Sequence, residues 1–186
     1  MRIISGIFRG KKILQPIDIK TRPLKDMVKE SIFNILKHSK KINFQIENSN
    51  ILDLFSGTGS FGFECISRGA RKITFVEYHR DAIKILRKNI FNFKIENECE
   101  VIENDCFSFL DTLDNLKEQY NIIFLDPPYK EEKIDKIINL IRKKKLLISS
   151  GVIIIHRHKN EVNDLSSTLK ILDSRIYGIS KIIIGN

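Results

Sequence analysis

From residue 50 onward, short apolar runs of strand length alternate with longer stretches in which apolar residues recur every three or four positions. The first kind comprises NILDLF (50–55), KITFVE (72–77), CEVIEN (99–104), NIIFLD (121–126) and GVIIIHR (151–157). Their alternation with amphipathic helical stretches predicts a parallel sheet covered by helices on both faces. Two more runs, LKILDSRIYG (169–178) and SKIIIGN (180–186), are separated by only a short turn, so an antiparallel hairpin at one sheet edge is expected. The clearest helix lies in EEKIDKIINLIRKKK, where Ile134, Ile137, Ile138 and Ile141 fall at i, i+3, i+4 and i+7. Its acidic start and basic end suit the helix dipole, which assigns Lys143 to Lys145 to a helix terminus. Ile83, Leu86 and Ile90 mark a second helix in RDAIKILRKNIFNF.

The first 45 residues break this rhythm. RIISGIFRGKKIL reads as a short hairpin turning near Arg9 and Gly10, and PLKDMVKESIFNILKH as a helix with Val28, Ile32, Ile35 and Leu36 on one face. Two parts are therefore expected: a hairpin-plus-helix extension of residues 1–45 beside an α/β domain of residues 46–186. A length of 186 residues leaves room for one full core and such an appendage.

Charge gives the extension a meaning. The net charge is +9, and residues 1–44 carry 11 Lys+Arg against 3 Asp+Glu, while the remainder is nearly balanced. A base composition rich in A and T raises the lysine count everywhere, but it does not concentrate the excess in one quarter of a chain. A localised basic face is the electrostatic footprint of a phosphate-backbone partner. Arg2, Arg9, Lys11, Lys12, Arg22, Lys25 and Lys29 are the candidates to grip phosphates. No run of about 18 apolar residues could cross a membrane, and the start lacks the apolar core of a secretory signal, so a cytoplasmic protein is expected. The absence of an extra apolar face makes a monomer the expectation. Cys65, Cys99 and Cys106 are odd in number and lack C-x-x-C spacing, and the four histidines share no ligand spacing, so no metal is expected.

The candidate chemistry lies at strand ends. Gly57, Gly59 and Gly62 have G-x-G-x-x-G spacing, which places an adenosine-bearing guest against a tight turn after the first strand. Glu77, ending the second strand, is placed to accept ribose hydroxyls of either NAD or S-adenosylmethionine. Asp53, followed by Phe55 at the end of the first strand, separates the two guests. It would meet the NAD pyrophosphate with like charge but would favour an ammonium or sulfonium. Asp105 can accept from an adenine amino group while the Cys106 N–H donates to the ring; an N-cap for the helix CFSFLDTL is the equal alternative for Asp105. In NIIFLDPPYK, Pro127 and Pro128 force Asp126 and Pro127 into extended geometry, so the loop is stiff before any ligand arrives. The Asp126 carboxylate and Pro127 carbonyl can accept from the two N–H groups of an exocyclic amine, and Tyr129 can stack on its base.

In that order, LDLFSGTGSFGFE, FVE, ND and LDPPY resemble a class I S-adenosylmethionine-dependent methyltransferase acting on an amino nitrogen. With RIISGIFRGKKI, TRPLKDMVKESIFNIL and YGISKIII added, the whole chain resembles the RsmD family, bacterial guanine-N2 methyltransferases of 16S small-subunit ribosomal RNA. The resemblance implies a Rossmann-like fold whose seven-stranded, mostly parallel sheet has an antiparallel last strand. It also implies adenosylmethionine as donor and N2 of one guanine in ribosomal RNA, free or in the small subunit, as target. One departure stands out: where the family commonly has an acid after the fifth strand, this chain has IIIHRHK, and His156 and Arg157 are given no catalytic role. Competing readings are an NAD-dependent oxidoreductase, an amino methyltransferase acting on DNA adenine or another RNA or protein amine, and an RNA-binding module without catalysis.

Overall fold

The computed structural model describes residues 1–16, 24–42, 44–113, 119–128, 131, 133–161 and 165–186. Among these residues seven strands form one sheet: β1 (Asn50–Asp53), β2 (Lys72–Glu77), β3 (Cys99–Glu103), β4 (Tyr120–Leu125), β5 (Leu147–His158), β6 (Ile171–Tyr177) and β7 (Ser180–Gly185). Their order is 3-2-1-4-5-7-6. The first five run parallel, and β7 runs antiparallel to both β5 and β6. The C-terminal hairpin is therefore inserted second strand first, with β7 against β5 and β6 as the outer edge. Strand order reverses between β1 and β4, which opens a crevice at their carboxyl ends.

Helices α1 (Asp26–His38), α2 (Ser60–Ser67), α3 (Arg80–Phe93), α4 (Cys106–Thr112) and α5 (Ile134–Lys143) complete the layers. Because successive strand residues point to opposite faces, the core divides in two. Ile51, Phe75, Phe124, Ile154 and Ile182 pack with α1, α2 and α3, whereas Leu52, Val76, Ile123, Ile155 and Ile183 pack with α4 and α5. Gly62 lets α2 approach β2, since a Cβ there would lie 2.2 Å from Ile73 Cδ1. β5 begins four residues before the apolar run 151–157; exposed Ser149 and Ser150 hid this extension, and the β4–β5 register shifts there.

The N-terminal hairpin forms around an Arg2–Lys12 bridge, with Ile3 N donating to Lys11 O at 3.0 Å and Gly10 N to Ile3 O at 2.9 Å. α1 buries Val28, Ile32, Ile35 and Leu36 as its periodicity demands. Its Phe33 ring stacks on Phe61 at 5.5 Å, and Phe61 stacks on Phe124 at 4.0 Å, joining helix to sheet. Lys29 corrects the sequence reading, because it is fully buried on the same helix and cannot reach a phosphate. Its Nζ donates to Arg2 O at 2.9 Å and Ser60 Oγ at 3.3 Å, and lies 3.7 Å from the buried Glu64 carboxylate. Burial lowers the Lys29 pKa, while Glu64 and Asp26 oppose that shift. Glu64 also accepts from Ile4 N and Ser5 N, at 2.8 and 3.0 Å. A buried ion pair survives only when such additional hydrogen bonds satisfy it.

Candidate active site

Strand alternation and register together dictate a row of polar side chains. Ile51, Phe75, Phe124 and Ile154 face α1, α2 and α3, so two residues further along their strands Asp53, Glu77, Asp126 and His156 end that same face. Asp53 is level with Phe75 and Phe124, while Leu125 pairs with Ile155, which makes Asp126 and His156 the next neighbours. A cleft of about 350 Å³ opens over this row, lined among others by Asp53, Phe55, Gly57, Glu77, Cys106 and Asp126. Pro127 and Pro128 also line it.

Asp53 is 1% exposed, and its Oδ1 has no hydrogen-bond partner. Burial first, then the neighbouring Asp126 and Glu77 carboxylates, hold its carboxyl well above the usual range, against a backbone hydrogen bond at Phe55. A buried acid of this kind is costly to ionise unless a cation joins it. The residues therefore fit a cationic guest and would repel a pyrophosphate.

Glu77 steadies the turn above. Its Oε2 accepts from Gly57 N at 2.7 Å, and its Oε1 accepts from Tyr78 N and His79 N, both at 2.9 Å. A carboxylate has about four acceptor sites, so capacity for a hydroxyl remains. Gly59 precedes α2 at φ +87°, where a Cβ would also meet Leu86 Cδ1 and Phe63 Cε2 at 2.6 Å. The turn is tied to the N-terminal segment as well. Gln15 Nε2 donates to Thr58 Oγ1 at 2.9 Å, and Asn89 bridges Leu14 to Thr58 O.

At the end of β3, Asp105 acts as the N-cap. Its Oδ1 accepts from Phe107 N and Ser108 N at 3.0 and 3.1 Å, and Asp105 does not line the cleft. Asn104 and Cys106 form the wall there, and burial above all pushes the Cys106 thiol up, away from nucleophilic chemistry.

Asp126 follows β4 directly, and its Oδ1 lies 2.8 Å from His156 Nδ1. A carboxylate oxygen accepts and a ring nitrogen donates only when it bears hydrogen, so this bond assigns His156 the tautomer with hydrogen on Nδ1. Beyond the prolines, Glu131 N donates to Pro128 O at 2.9 Å, and Arg157 donates to Glu131 O at 2.8 Å while pairing with Glu161. β5 thus anchors both sides of the loop. Tyr129, assigned to base stacking, lies outside the described residues.

Sequence reasoning left the role of His156 open, and it did not single out Met1, Gln15, Leu24 or Ser60, which line the cleft. The parallel pairing of β4 with β5, read end to end, was the one signal that could have joined His156 to Asp126. Of the phosphate candidates, Arg2, Arg9, Lys11, Lys12 and Lys25 are exposed, with Lys11 Nζ 4.7 Å above the Phe8 ring. Arg22 lies outside the described residues. Among those residues there is no metal-ligand cluster and no helix long and apolar enough to cross a membrane.

The conserved hypothetical protein 95 family matches residues 1–186. The chain is 32% identical over 185 residues to a putative rRNA methyltransferase, YlbH, of Bacillus subtilis, covering 99% of this chain and 97% of that protein. It is 34% identical over 162 residues to ribosomal RNA small subunit methyltransferase D of Haemophilus influenzae, covering 87% and 80%. The solved structure of a putative methyltransferase, yhhF, from Escherichia coli superposes with a TM-score of 0.82 at 26% identity, covering 100% of this chain and 96% of that one. With its fold and its full-length family match, the chain belongs to the RsmD family and has the Rossmann-like fold of class I methyltransferases.

Proposed function

We propose that this enzyme transfers a methyl group from S-adenosylmethionine to the N2 amine of a guanine in 16S ribosomal RNA, as a cytoplasmic monomer. The observation that most supports this is a cleft holding two acids of opposite condition. Asp53 has an unpartnered buried oxygen suited to a cation, and Asp126 sits on a stiff loop beside it. Bound in the cleft, adenosylmethionine supplies an electrophilic methyl carbon. Asp53 stabilises the donor's positive charge, and Glu77 accepts its ribose hydroxyls. Phe55, Gly57, Gly59, Asn104 and Cys106 shape the adenosine side.

The guanine amine is a poor nucleophile because its lone pair is delocalised into the ring. Asp126 and the Pro127 carbonyl accept hydrogen bonds from its two N–H groups and turn the lone pair toward the cleft, while Pro128 and Tyr129 hold the base. Stacking of this kind contributes roughly 1 to 3 kcal/mol. The new N–C bond would form as the sulfur–methyl bond breaks and S-adenosylhomocysteine leaves, and the alkylated nitrogen, acidic only then, would give its extra proton to water, so no strong base is required. The base must leave its stack to reach this loop. Arg2, Arg9, Lys11, Lys12, Arg22 and Lys25 hold the surrounding phosphates, and the reading also rests on the small-subunit rRNA methyltransferase named among the relatives.

Incubation of the protein with tritiated donor and, separately, small ribosomal subunits, free 16S RNA, DNA and protein tests this. Digestion should return the label as N2-methylguanosine from ribosomal RNA. Label in adenine or in protein, or none in RNA, overturns the assignment.

A further inference from the structure

We infer that His156 is a positioning residue for methyl transfer, fixing which oxygen of Asp126 faces the amine. The inference rests on the function proposed above.

Pro127 and Pro128 restrain the backbone at Asp126 but leave its side chain unconstrained, and the χ2 torsion of an aspartate is broad and roughly two-fold. A carboxylate free to turn offers no single acceptor direction. His156 supplies what the prolines cannot. It is 3% exposed and follows Ile155, whose pairing with Leu125 brings the imidazole to the Asp126 carboxylate, with Nδ1 2.8 Å from Oδ1. On its other side, β7 pairs Ile182 with it, so His156 sits inside the sheet rather than at its edge. With Oδ1 engaged, Oδ2 is left to accept from a base amine. The same bond sets Asp126 apart from Asp53, its neighbour on the same face, whose Oδ1 has no partner. Arg157, the next residue, fixes the far side of the loop through Glu131 O, so β5 sets both the backbone and the side-chain direction of the acceptor.

His156→Leu should lower kcat by about 10²-fold, the loss typical of a reacting group misplaced by an ångström. KM for RNA and the donor Kd should be unchanged. His156→Asn, whose amide nitrogen falls where Nδ1 was, should recover most of kcat. His156→Gln, whose amide falls at the Nε2 position, should not. Equal losses in all three variants, or full kcat in His156→Leu, overturn the positioning role. A wild-type protein inactive on RNA would instead sink the reading on which this rests. Nitrogen-15 NMR of the unaltered protein covers the case of a variant that fails to fold. An Nδ1 proton on His156 that is lost or shifted in Asp126→Ala supports the inference, and an unprotonated Nδ1 in the wild type rejects it.

Discussion

Asp53 ends β1 and Asp126 directly follows the neighbouring β4, both on one face of the sheet, yet their surroundings push them toward opposite tasks. Asp53 is sealed in, with one oxygen unpartnered and two other carboxylates nearby. Asp126 is partly exposed and hydrogen-bonded to a histidine. The β1 side of the cleft is therefore an incomplete electrostatic site that a cation completes, and the β4 side is a finished acceptor that needs only a donor group. Residue type alone does not separate these two acids; the neighbours that the fold brings to each of them do.

Removing the finished acceptor should have the largest effect. Asp126→Ala is expected to lower kcat by about 10² to 10³, the usual cost of one preorganised electrostatic group, with the donor Kd kept. Single-turnover transfer together with calorimetry checks both, and a parallel loss of donor affinity would erase the contrast between the two acids.

Asp53→Asn should act on binding. Interactions with a charged group contribute about 1.5 to 3 kcal/mol, so donor affinity should fall roughly 10- to 100-fold. Its pH dependence should change as well. The free protein keeps Asp53 protonated above the usual aspartate range, and a bound cation favours the charged form. Donor binding therefore releases a proton, and affinity climbs with pH until the raised pKa is passed. Calorimetry in buffers of differing ionisation enthalpy should detect that proton in the wild type and not in Asp53→Asn. The linked stability has a definite sign. With its folded pKa raised, Asp53 contributes stability below the ordinary value of 3.8 that is lost as pH rises through the folded pKa. Without donor, the melting temperature of Asp53→Asn should thus decline less toward alkaline pH.

The smallest effects lie outside the cleft. Arg9→Ala and Lys12→Ala should each reduce the slope of log affinity for RNA against log salt by about 0.7 to 1, leaving donor binding alone. Lys29→Met should leave that slope unchanged while lowering the melting temperature, because it removes one of the two cations that offset the buried Glu64 carboxylate.

Local pattern recovered the strands that carry the site because near-continuous apolar runs have few alternatives to a buried parallel sheet. It recovered α3 to the residue, Arg80–Phe93. It also posed the two roles of Asp105, of which the structure displays the N-cap. What it missed depends on contacts between distant positions. Lys29 looked solvent-bound because its partner Glu64 is 35 positions away on α2. The role of His156 stayed open because its partner lies 30 positions back and meets it only through sheet register. Cationic and imidazole side chains take their meaning from partners, and a linear pattern does not name those partners.

The fastening of the first residues onto α2 bears on how this enzyme could be dissected. A fragment beginning at residue 46 would lose the amides of Ile4 and Ser5 and the ammonium of Lys29, leaving the Glu64 carboxylate buried with only Arg68 to offset it. It would also bare Phe61 of α2, on which Phe33 of α1 stacks, and open the core cluster that these rings share with Ile182 and Ile184 of the sheet. Such a fragment would be a sticky, damaged protein rather than a minimal catalyst.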